Sequence, residues 1–339
     1  MKALVMREPG IARIEDVPEP KMGSGEALLR VRRIGLCGSD LNTFRGRNPL
    51  VSFPRIPGHE VAATILALSE ERPGLAVGMD VTLSPYTSCG QCAACRSGRN
   101  NACQRNQTLG VQRDGALTER ISVPVAKLYP ARLQLRELCL VEPLTVGFHA
   151  VGRACVAAGE TVAVFGCGGV GLGAVAASAF RGATTIAVDV DDAKLATAKQ
   201  AGATHTIHSR RQNLSEAQAA LTGGLGPDVI IEAVGTPETF RAAVEEVSWT
   251  GRVVYIGYAK EPVTYETRLF VQKELDIRGS RNALPEDFRS VIQMLEQGRF
   301  PVDAAITTIA PLDEAPQLLE AWSADPAQFT KIMIDLDQP

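Results

Sequence analysis

The chain has 339 residues, 45% of them hydrophobic and 22% charged, with 31 glycines. That composition suits a soluble α/β protein and exceeds what one ordinary core serves, so two domains are expected. A net charge of −3 and a pI near 5.9 argue against nucleic acid or an anionic membrane as partner.

The start, "MKALVMREPG", meets Arg7 and Glu8 before any apolar core forms. It predicts a cytoplasmic chain without a signal peptide, whose eight cysteines stay reduced. From Met1 to about Thr145, short β-like runs such as "EALLRVRRIGLC", "GMDVTLSP" and "TERISVPVAKLYPA" alternate with Gly/Pro-rich loops. This is the pattern of an irregular, mostly antiparallel β domain that carries its function on loops.

Within that region "GLCGSD" is followed by "PGHE", which sets His59 22 residues after Cys37. Cys37, His59 and Glu60 are good zinc ligands, and the later "LVEPLTVGFHA" offers Glu142. A catalytic zinc takes about three protein ligands and keeps one exchangeable position. Cys37, His59 and Glu142 would supply one soft and two harder ligands, with Glu60 either alternating with Glu142 or holding the metal's water. The stretch "SCGQCAACRSGRNNACQ" adds Cys89, Cys92, Cys95 and Cys103 in the pattern C-x2-C-x2-C-x7-C. A ferredoxin run carries proline after its last cysteine, whereas Gln104 follows Cys103. Four thiolates close a tetrahedral shell, so the expectation is a structural zinc that ties down a long loop.

Past Thr145, "ETVAVFGCGGVGLGAVAASAF", "TTIAVD", "GPDVIIEAVG" and "GRVVYIGYA" alternate apolar strands with Ala-rich helices, the rhythm of a parallel doubly wound sheet. The uncharged run from Thr161 to Phe180 is long enough to span a bilayer, but its glycines fit a buried strand, turn and helix. Gly166, Gly168 and Gly171 form G-x-G-x-x-G, with Gly169 and Val170 at the start of the helix that follows. Asp189 closes the next strand 23 residues after Gly166, close to the offset of a ribose-binding carboxylate. These residues predict a dinucleotide site with the pyrophosphate at the helix N-terminus. Asp189, Asp191 and Asp192 would repel a 2′-phosphate and favour NAD over NADP, while Arg210 and Arg211 would weaken that preference. His149, His205 and His208 read as structural, with a place near the nicotinamide as the alternative for His149, and Cys139, Cys155 and Cys167 read as small hydrophobes. After "LDIRGSRNAL" an amphipathic helix, "PEDFRSVIQMLEQG", is expected, opened by Pro285.

Taken in order, "GLCGSD", "PGHE", the four-cysteine lobe, "EPLTVGFHA" and "GCGGVGLG" resemble the zinc-dependent medium-chain dehydrogenases, over nearly the whole chain. The glutamate of "EPLTVGFHA" is similar to that of the polyol and threonine dehydrogenase branch. "FRGRNPLVSFPRIPGHE", "LGVQRDGALTERISVPVAKLYPA" and "RGSRNALPEDF" resemble bacterial sugar-acid dehydrogenases that oxidise C5 of hexonates such as L-galactonate or L-gulonate.

The resemblance implies an α/β architecture in two parts. Residues 1–145 would form a GroES-like β-rich catalytic domain completed by 285–339, and 146–284 a Rossmann NAD-binding domain, with the active site in the cleft and a homodimer or homotetramer as the assembly. It implies NAD and two zinc ions per chain, and reversible hydride transfer between a secondary alcohol and NAD. Ser39 would receive the alcohol proton and Asp40 would support the zinc site through a ligand imidazole. Relatives in the polyol and threonine branch commonly carry a histidine two positions after the "SD" aspartate, where this chain has Asn42. The proton would then leave through Glu60, the ribose hydroxyls or water.

A polar substrate would meet Asn42, Arg45, Glu119, Arg281 and Asn282, with Arg45 or Arg281 gripping a carboxylate. A polyol or threonine is the alternative substrate. A non-catalytic NAD- or zinc-binding regulator is the alternative class.

Overall fold

The computed structural model describes residues 1–337, which fall into two compact units. One comprises Met1–Glu142, Leu284–Ile292 and Val302 onward, and the other Pro143–Ala283 with Gln293–Pro301.

The first unit is built on a sheet whose backbone is the long strand Glu26–Leu36. Glu60–Leu68 and Ile332–Asp335 flank it, both antiparallel, and Arg120–Pro124 pairs with its first half. Asp80–Leu83 and Leu128–Pro130 extend one side, and Thr308–Pro311 joins Ile332–Asp335 in parallel at the other. Alternation along Glu26–Leu36 sends Leu29 and Val31 into a core shared with Ile65, Leu83 and Leu117, and a register shift between Val31 and Arg33 brings Ile34 into it as well. Gly35 faces Glu60 across this sheet, and a Cβ there would lie 2.0 Å from Glu60 Oε2. The strand therefore needs glycine where the glutamate side chain crosses it.

Two local devices bring Cys37 and His59 inward. Cys37 caps the short helix Gly38–Phe44, and Asp40 turns back to accept a 2.9 Å hydrogen bond from the Cys37 amide. His59 follows Gly58, whose φ of +98° is open to glycine, and Gly110 and Gly115 press on the same backbone. Cβ atoms on those two glycines would lie 2.6 and 2.3 Å from Gly58 N and Pro57 O.

The second unit is a six-stranded parallel sheet. Its order is His205–His208, Thr184–Asp189, Thr161–Phe165, Val229–Glu232, Arg252–Tyr255 and Asp276–Gly279. Numbered within the unit this is 3-2-1-4-5-6, the dinucleotide-binding order, which reverses direction between Thr161–Phe165 and Val229–Glu232. Ala163, Phe165, Ile186, Val188, Ile230 and Val253 form the core on one face. The apolar run from Thr161 to Phe180 is the strand Thr161–Phe165 and the helix Gly169–Phe180. No helix of the described residues is long and apolar enough to cross a membrane.

The units depart from the sequence expectation in two places. The first division lies at Glu142/Pro143, inside the helix Leu135–Arg153, which the strand-and-loop reading of that region did not anticipate. Residues 293–301 group with the dinucleotide unit rather than with the C-terminal segment. Arg299 explains part of that grouping, since its guanidinium carbon sits 4.8 Å over the ring of Phe180.

Candidate active site

One ligand atom from each of Cys37, His59 and Glu60 lies within 4.8 Å of the others. His59 and Glu60 are buried and Cys37 is half-buried. Burial disfavours a charged imidazole, yet the negative charges of Cys37 and Asp40 outweigh it and hold the His59 pKa well above its ordinary value. The buried Nδ1 of His59 has no hydrogen-bond partner among the described residues. A soft sulfur, an imidazole nitrogen and a carboxylate that together draw positive charge into a buried spot are a fitting donor set for zinc. Ser39, two positions from Cys37, has a buried, unpartnered Oγ. Among the described residues Asp40 makes no hydrogen bond to the imidazole. It anchors the Cys37 amide through Oδ2, and burial raises its pKa.

The two glutamates have different partners. Lys331 Nζ reaches both oxygens of Glu60, at 2.6 and 2.7 Å, and donates to Leu36 O at 3.2 Å. Glu142 stands outside the close group of three and accepts a hydrogen bond from the Tyr86 hydroxyl. Burial, then the Glu142 charge, pushes the Tyr86 phenol well above its usual pKa, and burial raises Glu142 as well.

The four cysteines of the lobe converge too, with all four sulfurs within 4.8 Å of one another. Cys92 Sγ lies 3.5 Å from Cys95 Sγ and 3.9 Å from Cys103 Sγ. The amides of Cys89 and Arg105 each donate to Cys103 Sγ at 3.3 Å. Backbone amides of Cys95 and Gln104 bring the Cys92 thiol down to about 6, which favours the thiolate form that a metal takes. No open coordination position would remain, which fits a structural zinc.

In the second unit Gly168 caps the helix Gly169–Phe180, so Gly169 and Val170 offer first-turn amides. Gly166 has φ +91°, and a Cβ on Gly171 would lie 1.8 Å from Gly166 O. Replacing Gly171 with Ala should therefore displace the turn, costing about 1–3 kcal/mol of stability and most of the NADH affinity. Denaturant titration and NADH fluorescence would read the two effects. Asp189 is fixed by amides, accepting from Cys167 N at 2.7 Å, Val190 N at 2.7 Å and Asp191 N at 3.1 Å. Asp191 caps the next helix. Arg211, expected to weaken the NAD preference, forms an ion pair with Asp192 at 2.9 Å.

Residues 23–133 match the alcohol dehydrogenase GroES-like domain, and residues 169–297 the zinc-binding dehydrogenase domain. The chain is 33% identical to the sorbitol dehydrogenase of Bacillus subtilis over 98% of its own length and 97% of the relative's. It is 33% identical to the L-galactonate-5-dehydrogenase of Escherichia coli over 91% of each. The chain belongs to the zinc-type medium-chain alcohol dehydrogenases. A crystal structure of an alcohol dehydrogenase from Escherichia coli, complexed with NADH, superimposes with a TM-score of 0.91 at 28% identity, covering 99% of both chains. As a member of this family the protein is an oxidoreductase acting on CH–OH, with zinc and NAD as cofactors.

Within that family frame, the residues expected to touch substrate divide. Arg45 is engaged elsewhere: its guanidinium donates to Ser323 Oγ at 3.1 Å and to Ser323 O, tying the first helix to the C-terminal part of its unit. Glu119 is exposed and accepts from the Lys2 amide at 2.7 Å. Asn42 is half-buried, and its carbonyl takes the Arg47 amide. Arg281 is exposed and Asn282 has φ +53°, both just past the strand Asp276–Gly279 of the second unit. Sequence reasoning missed Lys331 and Tyr86. A lysine opening the apolar run "KIMIDL", and an aromatic three positions before the cysteine lobe, were the available signals.

Proposed function

We propose that this dehydrogenase oxidises a secondary alcohol of a hexonate, of the L-galactonate or L-gulonate type, with NAD as hydride acceptor. The convergence of Cys37, His59 and Glu60 in one buried spot carries the reading of the chemistry. Likeness to an L-galactonate-5-dehydrogenase supports the substrate class. Cys37 and His59, with Glu142 or Glu60, would hold a zinc ion, which would supply the Lewis acidity that lowers the pKa of an alcohol hydroxyl.

The remaining work falls to the chain. Ser39, whose buried Oγ has no partner among the described residues, would take the alcohol proton. Asn42 cannot relay that proton as an imidazole would, so it would leave through Glu60, the ribose hydroxyls or water. Asp189 receives the ribose diol of the cofactor, and the Gly166–Gly171 turn admits the pyrophosphate against the first-turn amides. Arg45 is committed to Ser323, and a substrate carboxylate would meet Arg281. That commitment, together with the sorbitol dehydrogenase likeness, favours a polyol as the second reading, with threonine a further one. The assembly is proposed as a homodimer or homotetramer.

Initial rates of NADH formation with hexonates, polyols, threonine and simple alcohols, with and without a chelator, test this. Chelator-sensitive turnover on one hexonate is the expected outcome. Turnover confined to a polyol or threonine would overturn the substrate class and leave the chemistry standing.

A further inference from the structure

We propose that Tyr86 is a positioning residue for the catalytic zinc site, fixing the orientation of the Glu142 carboxylate so that it can join Cys37 and His59 on the metal. The proposal rests on the zinc reading above and adds a role to a residue that no motif points to.

The argument begins with the contrast between two buried carboxylates. Glu60 has its charge cancelled by Lys331, which meets both oxygens and is itself only 7% exposed. Gly35 on the neighbouring strand leaves room for that carboxylate, since a Cβ there would lie 2.0 Å from Glu60 Oε2. Glu142, 3% exposed, receives instead the hydroxyl of Tyr86, 6% exposed. A phenol fixes the direction of a carboxylate without neutralising it, whereas an ammonium does both.

Charge balance then separates the roles. A divalent cation with neutral His59 is balanced by the Cys37 thiolate and one carboxylate. If Glu142 is that carboxylate, Glu60 and Lys331 remain a neutral pair. If Glu60 were drawn off to the metal, Lys331 would be left buried without its counter-charge. A residue that aims Glu142 while leaving its charge in place serves the first arrangement.

Tyr86 is also held firmly. On one side the Pro85 carbonyl accepts from the Leu109 amide at 3.1 Å. On the other, Thr87 N donates to Asn106 Oδ1 at 3.2 Å, and Gln107 N donates to Thr87 Oγ1 at 2.7 Å. Residues 106 and 107 lie just past Cys103, so the four-cysteine lobe stiffens the segment that presents the hydroxyl. Partners of metal-ligating carboxylates typically change metal affinity by 10–100-fold when removed.

The test uses the full-length, zinc-loaded protein and Tyr86→Phe, which deletes only the hydroxyl. Zinc release to excess dipicolinate should show two phases in the wild type, one abolished by Cys37→Ser and one belonging to the cysteine lobe. Tyr86→Phe should speed the first about 10–100-fold and leave the second unchanged. The visible band of the cobalt-substituted protein should shift in Tyr86→Phe. In a Glu142→Gln background the same replacement should add nothing, because the carboxylate it orients is gone. A Cys37-dependent phase and cobalt band that Tyr86→Phe leaves untouched would overturn this role alone, as would an equal effect in the Glu142→Gln background. A wild type without any Cys37-dependent phase would overturn it together with the zinc reading.

Discussion

Replacing Cys37 with Ser should lower kcat/KM by roughly 10³–10⁴-fold while leaving NADH affinity unchanged. The substitution exchanges a soft thiolate for a neutral hydroxyl at the edge of the Cys37, His59 and Glu60 group, and zinc would be lost from it. Metal-ion catalysis contributes several kcal/mol, and each 1.36 kcal/mol is a factor of ten, which gives that range. The fold should survive, because what Cys37 contributes locally is its backbone amide to Asp40 and its place at the helix start. Serine is among the better residues for that place. Steady-state rates and NADH fluorescence on the same preparation separate the two effects. Unchanged turnover in zinc-depleted Cys37→Ser would remove the metal from the mechanism.

What was legible in the sequence follows from the range of the forces involved. The dinucleotide unit was readable because its signals are local: the apolar strand Thr161–Phe165, the glycine turn and Asp189 lie within 30 residues, and the parallel order follows from their alternation. The four-cysteine lobe was readable for the same reason. The helix Leu135–Arg153 was not, because Pro143 sits in its interior and breaks the pattern that announces a helix. Placement of residues 293–301 also escaped, since it depends on which surface Arg299 and its neighbours cover rather than on local propensity.

The polar partners of the site were the least legible part. Lys331 lies 271 residues from Glu60, Tyr86 56 from Glu142, and Ser323 278 from Arg45. A charged or aromatic residue declares itself as a partner only once the fold has buried it beside a charge. Arg45 looked like a substrate clamp for the same reason: a guanidinium in a loop next to ligand residues does not disclose that a distant serine already holds it.

Lys331→Met should be among the most destabilising single changes in the first unit, by about 3–5 kcal/mol, since it strands a buried carboxylate. Glu60 is fully buried and both its oxygens are bound to Lys331 Nζ, so the variant removes the one ammonium in direct contact with that carboxylate among the described residues. Lys331→Met combined with Glu60→Gln should recover much of the loss, because a neutral amide tolerates burial where an unpaired carboxylate does not. Denaturant unfolding of wild type, both single variants and the double variant closes the cycle, with a coupling of about 2–3 kcal/mol expected for groups in direct contact. The pH dependence has a definite sign. Burial opposes the ammonium, but the charges of Glu60 and Cys37 outweigh it and raise the Lys331 pKa above the ordinary lysine range. A group whose pKa is raised on folding gives its full stabilisation below its unfolded pKa and loses it as pH climbs through the folded value. The gap between wild type and Lys331→Met should thus stay constant through neutral pH and narrow only at strongly alkaline pH. A gap that closed on approaching neutrality from above would mean the pair is not the source of the stability.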